Sequence, residues 1–205
     1  MAERARVAVL ISGRGSNMVA LAEHKRRDPS RSYDLVLVAS NVPEARGLVV
    51  AKRFGIKTWA KSHRGMSREA FDAELDGALT EHGVDLVALA GYMRLLSPGF
   101  VELWANRLLN IHPSLLPAHR GLDTHRRALM AGDEFAGCSV HLVTADLDAG
   151  PVLAQEKVRI LPRDDADSLA ARVLEAEHRL YPQALEDYCR LIAGRASLPR
   201  LPDRS

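Results

Sequence analysis

Cysteine is scarce in this 205-residue sequence, with Cys138 and Cys189 the two it has. They lie far apart and show no CxxC spacing, which argues against a metal knuckle or a disulfide and for buried thiols in a reducing compartment. No apolar stretch reaches the roughly 20 residues that a membrane helix needs. The first apolar run, Val7 to Ile11, is too short for a signal-peptide core and leads straight into a glycine loop. Charge of one sign is not in excess: 28 Lys plus Arg stand against 26 Asp plus Glu, a formal +2. That balance excludes a protein that coats nucleic acid and still allows a local cationic pocket for a small anion. Internal repeats and low-complexity linkers are absent. So are the Gly-x-Ser-x-Gly elbow and the i, i+4 histidine pair of a zinc helix, since His119 and His125 flank five residues. These absences predict a cytoplasmic protein that engages neither membrane nor nucleic acid and needs no metal.

What is present is a globular composition, 47% hydrophobic and 26% charged. Val7 to Ser12 is a continuous apolar run, the pattern of a strand covered on both faces of a parallel sheet. A helix follows from Met18 to His24, then a buried strand from Asp34 to Ser40. Asn41 and Pro43 are read as opening the next helix, with Gly55 closing it. Ile56 to Ala60 reads as a strand, and Ser67 caps a helix that runs to about His82 and ends at Gly83. Asp85 to Gly91 is the most apolar strand and belongs at the sheet centre. The alternation predicts an α/β fold with a doubly wound, mostly parallel sheet. Beyond Arg107 the pattern changes: a short strand at Leu108 to Ile111, an irregular loop from Pro113 to Gly121, and a helix from Leu122 to Ala131. Gly137 to Thr144 and Val152 to Ile160 form a hairpin, and Ala166 to Leu191 a long helix bent at Pro182. The tail from Ala193 is expected to be mobile.

Four segments carry chemistry. Ser12 to Asn17 (SGRGSN) lies between a strand and a helix, where glycines let a ligand approach and free N–H groups favour an anion. A phosphate loop and an ordinary tight turn are equally good readings of it. In Asn110-Ile111-His112, an extended chain points Asn110 and His112 to one face. An amide beside an imidazole suits acyl chemistry, although a structural histidine fits the same pattern. Asp146 to Pro151 (DLDAGP) reads as a solvated turn, unless the fold brings it over His112, where a carboxylate would orient the imidazole and raise its pKa. Gly91 to Leu96 (GYMRLL) ends the central strand, where ligands of open α/β sheets bind.

Taken in order, ISGRGSN, AGYMRLLSP, NIHPSLLP, GLDTHRRAL, SVHLVTADLDAGP and AEHRLYP resemble the glycinamide ribonucleotide formyltransferases, folate-dependent enzymes of purine synthesis, over nearly the whole chain. The resemblance implies a Rossmann-like formyltransferase fold. It also implies transfer of the formyl group of 10-formyltetrahydrofolate to the glycinamide amine through a tetrahedral intermediate. Asn110, His112 and Asp148 would be the catalytic trio. Gly15, Ser16 and Asn17 would hold the ribonucleotide phosphate, with Glu177 on the same substrate. Arg68 and Met93, Arg94, Leu95 and Leu96 would contact the folate together with Asn110 and Asp148, and the loop from Ala145 to Gly150 would close over its pterin. Leu116-Pro117 is expected to be cis. One departure stands out, His119-Arg120 where the family often has a proline before the glycine. A single domain over residues 1–192 is expected, with a phosphate-binding half to about 107, a catalytic and folate half beyond it, and a tail at 193–205. The protein is expected to act as a monomer or homodimer.

Rivals are a formyltetrahydrofolate deformylase, expected to carry an N-terminal regulatory domain, and a methionyl-tRNA formyltransferase, expected to carry an RNA-binding domain after Leu191. A non-catalytic phosphate sensor would have no reason to gather Asn110, His112 and Asp148.

Overall fold

The computed structural model describes residues 4–194. In chain order the elements are β1 (Ala5–Ile11), α1 (Ser16–Arg27), β2 (Tyr33–Ser40), α2 (Arg46–Arg53), β3 (Lys57–Ala60), α3 (Arg68–Glu81) and β4 (Leu86–Leu89). Then come α4 (Pro98–Leu103), β5 (Leu108–His112), α5 (Thr124–Ala131), β6 (Phe135–Leu142), β7 (Val152–Arg159) and α6 (Ala166–Gly194). The strands form one seven-stranded sheet in the order β3-β2-β1-β4-β5-β6-β7. The first five strands pair in parallel, while β6 and β7 are added antiparallel. The chain therefore winds outward from β1 in both directions. Its switch point lies between β1 and β4, where open sheets of this kind bind ligands.

Side-chain alternation sorts the core into two layers. Val7, Val9 and Ile11 pack with Met18 and Leu21 of α1, Leu48 and Ala51 of α2, and Leu169 and Val173 of α6. Ala8 and Leu10 point the other way, onto Phe71, Leu75 and Leu79 of α3 and Phe100 and Trp104 at α4. A strand covered on both faces has no position for a polar side chain, which is why β1 and β4 read as unbroken apolar runs. Each buried Val or Leu contributes about 1.5–3 kcal/mol. Ser67 caps α3 by accepting the N–H of Ala70, and Gly83 follows that helix with φ 57°.

Three expectations need correction. Asn41 and Pro43 do not open α2, which starts at Arg46 with Ala45 as its N-cap. The intervening residues are held in a turn, because Ser12 donates to Asn41 Oδ1 and the Ser40 hydroxyl engages Val42. The six-residue α4 was not anticipated; Ser97 caps it and Pro98 opens it, but it is too short to establish a helical period. Finally, α6 runs to Gly194 with Pro182 inside it, so residues 193 and 194 are helical. The rest of the expected tail, 195–205, lies outside the described residues. Cys138 and Cys189 are free and buried, and burial pushes the Cys138 thiol up to about 12. Among the described residues no helix is long and apolar enough to cross a membrane.

Candidate active site

The site is built at the carboxyl ends of β1, β4 and β5. On β5, Leu109 and Ile111 join one core layer, which turns Asn110 and His112 to the opposite face. On β6, Ala136, Cys138 and Val140 join that same layer, so Ser139 and His141 share the face of Asn110 and His112. The antiparallel register sets Asn110 opposite His141 and His112 opposite Ser139. Asp148 arrives from the loop after β6, with φ 48°. Gly150 makes this return possible, since a Cβ there would come within 1.9 Å of the Leu142 carbonyl oxygen.

These side chains meet. Asp148 Oδ2 lies 3.3 Å from His112 Nδ1, and both side chains are 7% exposed. Asp148 Oδ1 lies 3.5 Å from His141 Nε2, and the Asn110 amide nitrogen is 3.1 Å from that same atom. His141 is oriented by the Leu142 carbonyl, which accepts from Nδ1 at 2.9 Å. The other nitrogen of His112, Nε2, donates to the His119 carbonyl at 3.1 Å. The Gly121 N–H donates to Asp148 Oδ2 at 2.9 Å. The DLDAGP segment is therefore solvated at Asp146 and Leu147 but turns the Asp148 side chain into the site. A sensor that used only the first loop would have no need of this cluster.

Burial is the largest influence on His112 and pushes its pKa below the usual imidazole range; the His119 carbonyl and the Asp148 charge oppose it without prevailing. The Asp148 charge raises the pKa as expected, but burial outweighs it, so the net direction is downward and not the expected rise. For Asp148 burial pushes the pKa up, but hydrogen bonds from His141 and Gly121 and the nearby His112 together hold it below the usual carboxylate range.

The glycine loop follows β1, which β4 separates from β5. Gly15 is the N-cap of α1, in the left-handed region at φ 75°, and no side chain caps the helix. The first-turn N–H groups of α1 are thus open to an anion. Arg14 is exposed, not folded into the loop. Gly47 lets α2 close against the loop, its N–H donating to the Gly13 carbonyl; a Cβ there would lie 2.5 Å from Ile11 Cδ1. Asn17 is buried and donates to Glu177 Oε2 at 2.6 Å, joining α1 to α6. Burial raises the Glu177 pKa, and the Asn17 hydrogen bond works against the rise. The Asn17 Oδ1 atom is buried without a partner.

Ser12 ties this loop to the end of β4, because its hydroxyl donates to Asn41 and accepts the N–H of Met93. Met93 and Leu95 are 68% and 54% exposed there, and Leu96 is half-buried. Arg94 lies over the Phe71 ring and donates to the Ser67 carbonyl, next to the exposed Arg68 at the start of α3. The peptide bond Leu116-Pro117 is cis.

The model of the formyl transferase family matches residues 5–185. The chain belongs to the formyl transferase family. Among curated relatives of this formyl transferase is the trifunctional purine biosynthetic protein adenosine-3 of Drosophila melanogaster, 49% identical over 184 residues. That match takes 89% of this chain but 14% of the relative, so the chain spans a small part of such trifunctional proteins. Phosphoribosylglycinamide formyltransferase of Escherichia coli K12 is 47% identical over 177 residues, 86% of this chain and 83% of that protein. The crystal structure of phosphoribosylglycinamide formyltransferase from Brucella melitensis superposes with a TM-score of 0.86 at 49% identity. It covers 91% of this chain and 96% of that one.

Two contributors to the cluster were not singled out from the sequence, His141 and the His119 carbonyl. The parity of Cys138, Ser139, Val140 and His141 was a usable signal, since it points His141 away from the apolar side of β6. Nothing in the sequence reports a backbone carbonyl turned toward a ring nitrogen. Among the described residues no group of three or more His, Cys, Asp or Glu side chains has a metal-holding arrangement.

Proposed function

We propose that this chain transfers the formyl group of 10-formyltetrahydrofolate to the glycinamide amine of 5-phosphoribosylglycinamide in de novo purine biosynthesis. One observation carries the reading: Asn110, His141, Asp148 and His112 form a chain of contacts of 3.1, 3.5 and 3.3 Å at the end of β5, on the same sheet whose β1 leads into an uncapped helix N-terminus. Gly15, Ser16 and Asn17 hold the ribonucleotide phosphate, and Glu177 contacts the same substrate. Residues 1–192 act as one domain, with the phosphate half to about residue 107 and the catalytic and folate half beyond it.

The folate is a co-substrate that brings an activated formyl amide and a flat ring. The chain suits it: Met93 and Leu95 offer exposed apolar surface, and Leu147, 56% exposed, does so on the loop that bears Asp148. Arg68, Arg94 and Leu96 complete this side. When the amine attacks the formyl carbon, negative charge builds on the formyl oxygen; collapse of the intermediate breaks the bond from that carbon to the folate nitrogen, which leaves with the proton that the amine gives up. Asn110 has two amide N–H groups, one facing His141, so the other is free to donate to that oxygen. One such donor is worth about 10²–10³-fold in rate. In His112, the Nε2 proton is committed to the His119 carbonyl, so Nδ1, 3.3 Å from Asp148 Oδ2, is the nitrogen that gains or loses a proton. Asp148 orients that nitrogen and favours its cationic form against the burial that opposes it. Amide, imidazole and carboxylate suffice for this acyl transfer, so the proposal includes no metal. The partners are the two small-molecule substrates, the compartment is the cytoplasm, and the enzyme is a monomer or homodimer.

The test is transfer from 10-formyltetrahydrofolate with 5-phosphoribosylglycinamide, water and methionyl-tRNA offered as competing acceptors. Formylation of the ribonucleotide is expected to dominate. Formate release at an equal or greater rate would assign the chain to deformylation.

A further inference from the structure

We propose that His119 is a positioning residue of this site: paired with Asp133, it pins a left-handed turn whose carbonyl holds Nε2 of His112 and so leaves Nδ1 as the exchanging nitrogen. The inference rests on the reading of His112 as proton shuttle.

His119 has φ 53°, a conformation that costs a non-glycine residue free energy and persists where its surroundings over-determine it. The surroundings here are specific. The His119 imidazole Nε2 is 2.6 Å from Asp133 Oδ2, with the two side chains 17% and 35% exposed. Asp133 is itself fixed, because its N–H donates to the Ala128 carbonyl where α5 ends at Gly132. The chain is anchored on either side of His119. Before it, Ser114 donates to the Ala118 carbonyl; after it, Arg127 donates to the Arg120 carbonyl and Gly121 to Asp148. Between these anchors the side chain of His119 decides where its own carbonyl points. That carbonyl is the acceptor for His112 Nε2. In a neutral imidazole the hydrogen bond made by one nitrogen fixes the state of the other. The pair with Asp133 thus acts on the tautomer of His112 without touching it, by holding an acceptor at Nε2 against the Asp148 carboxylate at Nδ1.

The test uses the full chain carrying His119→Ala, His119→Gly or Asp133→Asn. The readouts are ¹⁵N NMR of the His112 ring, kcat and KM, and the melting temperature. Alanine loses the pair and disfavours the left-handed backbone, whereas glycine loses the pair but tolerates that backbone. His119→Ala is expected to mix the two His112 tautomers and lower kcat about tenfold, with KM nearly unchanged. His119→Gly should lie between alanine and wild type, and Asp133→Asn should shift the His112 signals in the same direction by less. An unchanged His112 ring spectrum in His119→Ala overturns the proposal, even if stability falls. So does an altered spectrum with wild-type kcat, provided that His112→Ala is inactive. If His112→Ala keeps normal turnover while the spectrum still responds to His119, the failure belongs to the shuttle reading and the positioning stands.

Discussion

The phosphate-type loop is a single run of residues, Ser12 to Asn17, whereas the cluster around His112 draws on three segments that span residues 110 to 148. The loop gets its geometry from local backbone chemistry: a glycine at φ 75° and a helix start with no side-chain cap. The cluster gets its geometry from pairing, since Asn110 faces His141 through the β5–β6 register and Asp148 is delivered by the loop that follows. A slip of one residue in that register would turn His141 to the opposite face. A local device tolerates change elsewhere in the fold, and an assembled one does not. The two should therefore fail differently when mutated.

The largest effect is expected at the centre of the assembled region. His112→Ala should reduce formyl transfer by about 10²–10⁴-fold, the range of a general acid–base group, with the fold kept. Steady-state kinetics and circular dichroism check both halves, and loss of folding along with activity would make His112 a core residue first. Asp148→Asn comes next. It removes the charge that opposes burial, so the His112 pKa should fall further below the usual imidazole range, and kcat should drop by about 10²-fold. NMR titration of His112 reads the shift, and an unmoved pKa would separate the carboxylate from the imidazole.

The local loop should respond in KM and not in kcat. Gly15→Val puts a branched side chain at φ 75°, with Gly47 Cα 3.2 Å from the new Cβ. A left-handed conformation costs a residue with a Cβ about 1–2 kcal/mol, so the KM for the ribonucleotide should rise about tenfold. A fall in kcat at unchanged KM would erase the distinction between the two regions. The smallest effect is a stability change with pH that reaches beyond the site. Burial depresses the pKa values of His24, His112, His125 and His178. The unfolded chain then binds more protons than the folded one through the imidazole range, and stability rises with pH there and levels off above it. The melting temperature should fall by a few degrees from pH ~8 to pH ~5.5. The raised carboxyls of Asp72 and Glu177 act in the opposite direction, from the usual carboxylate range upward. A flat profile would mean that these imidazoles are solvated in the folded state.

Much of the fold was legible because its signals are local. The apolar runs of β1 and β4, the Ser67 cap and the glycines that close helices each declare themselves within a few residues. The errors came where a distant partner intervened: Ser12 holds Asn41 in a turn that the local sequence would have made a helix start. In the site, Asn110 and His112 could be assigned to one face from strand periodicity alone. Which face that is, and that His141 shares it, depends on a register between strands about thirty residues apart.

By itself the sequence determined the order of elements, the two-sided burial of the central strands and the glycine turn that leads into α1. These follow from side-chain period, backbone φ preferences and helix-end chemistry. Only the tertiary structure decided that Asp148 reaches His112 and that burial outweighs its charge there. It alone also set which ring nitrogen meets a carbonyl. Distance and desolvation are properties of groups brought together from far along the chain, and a sequence carries neither until the sheet has paired.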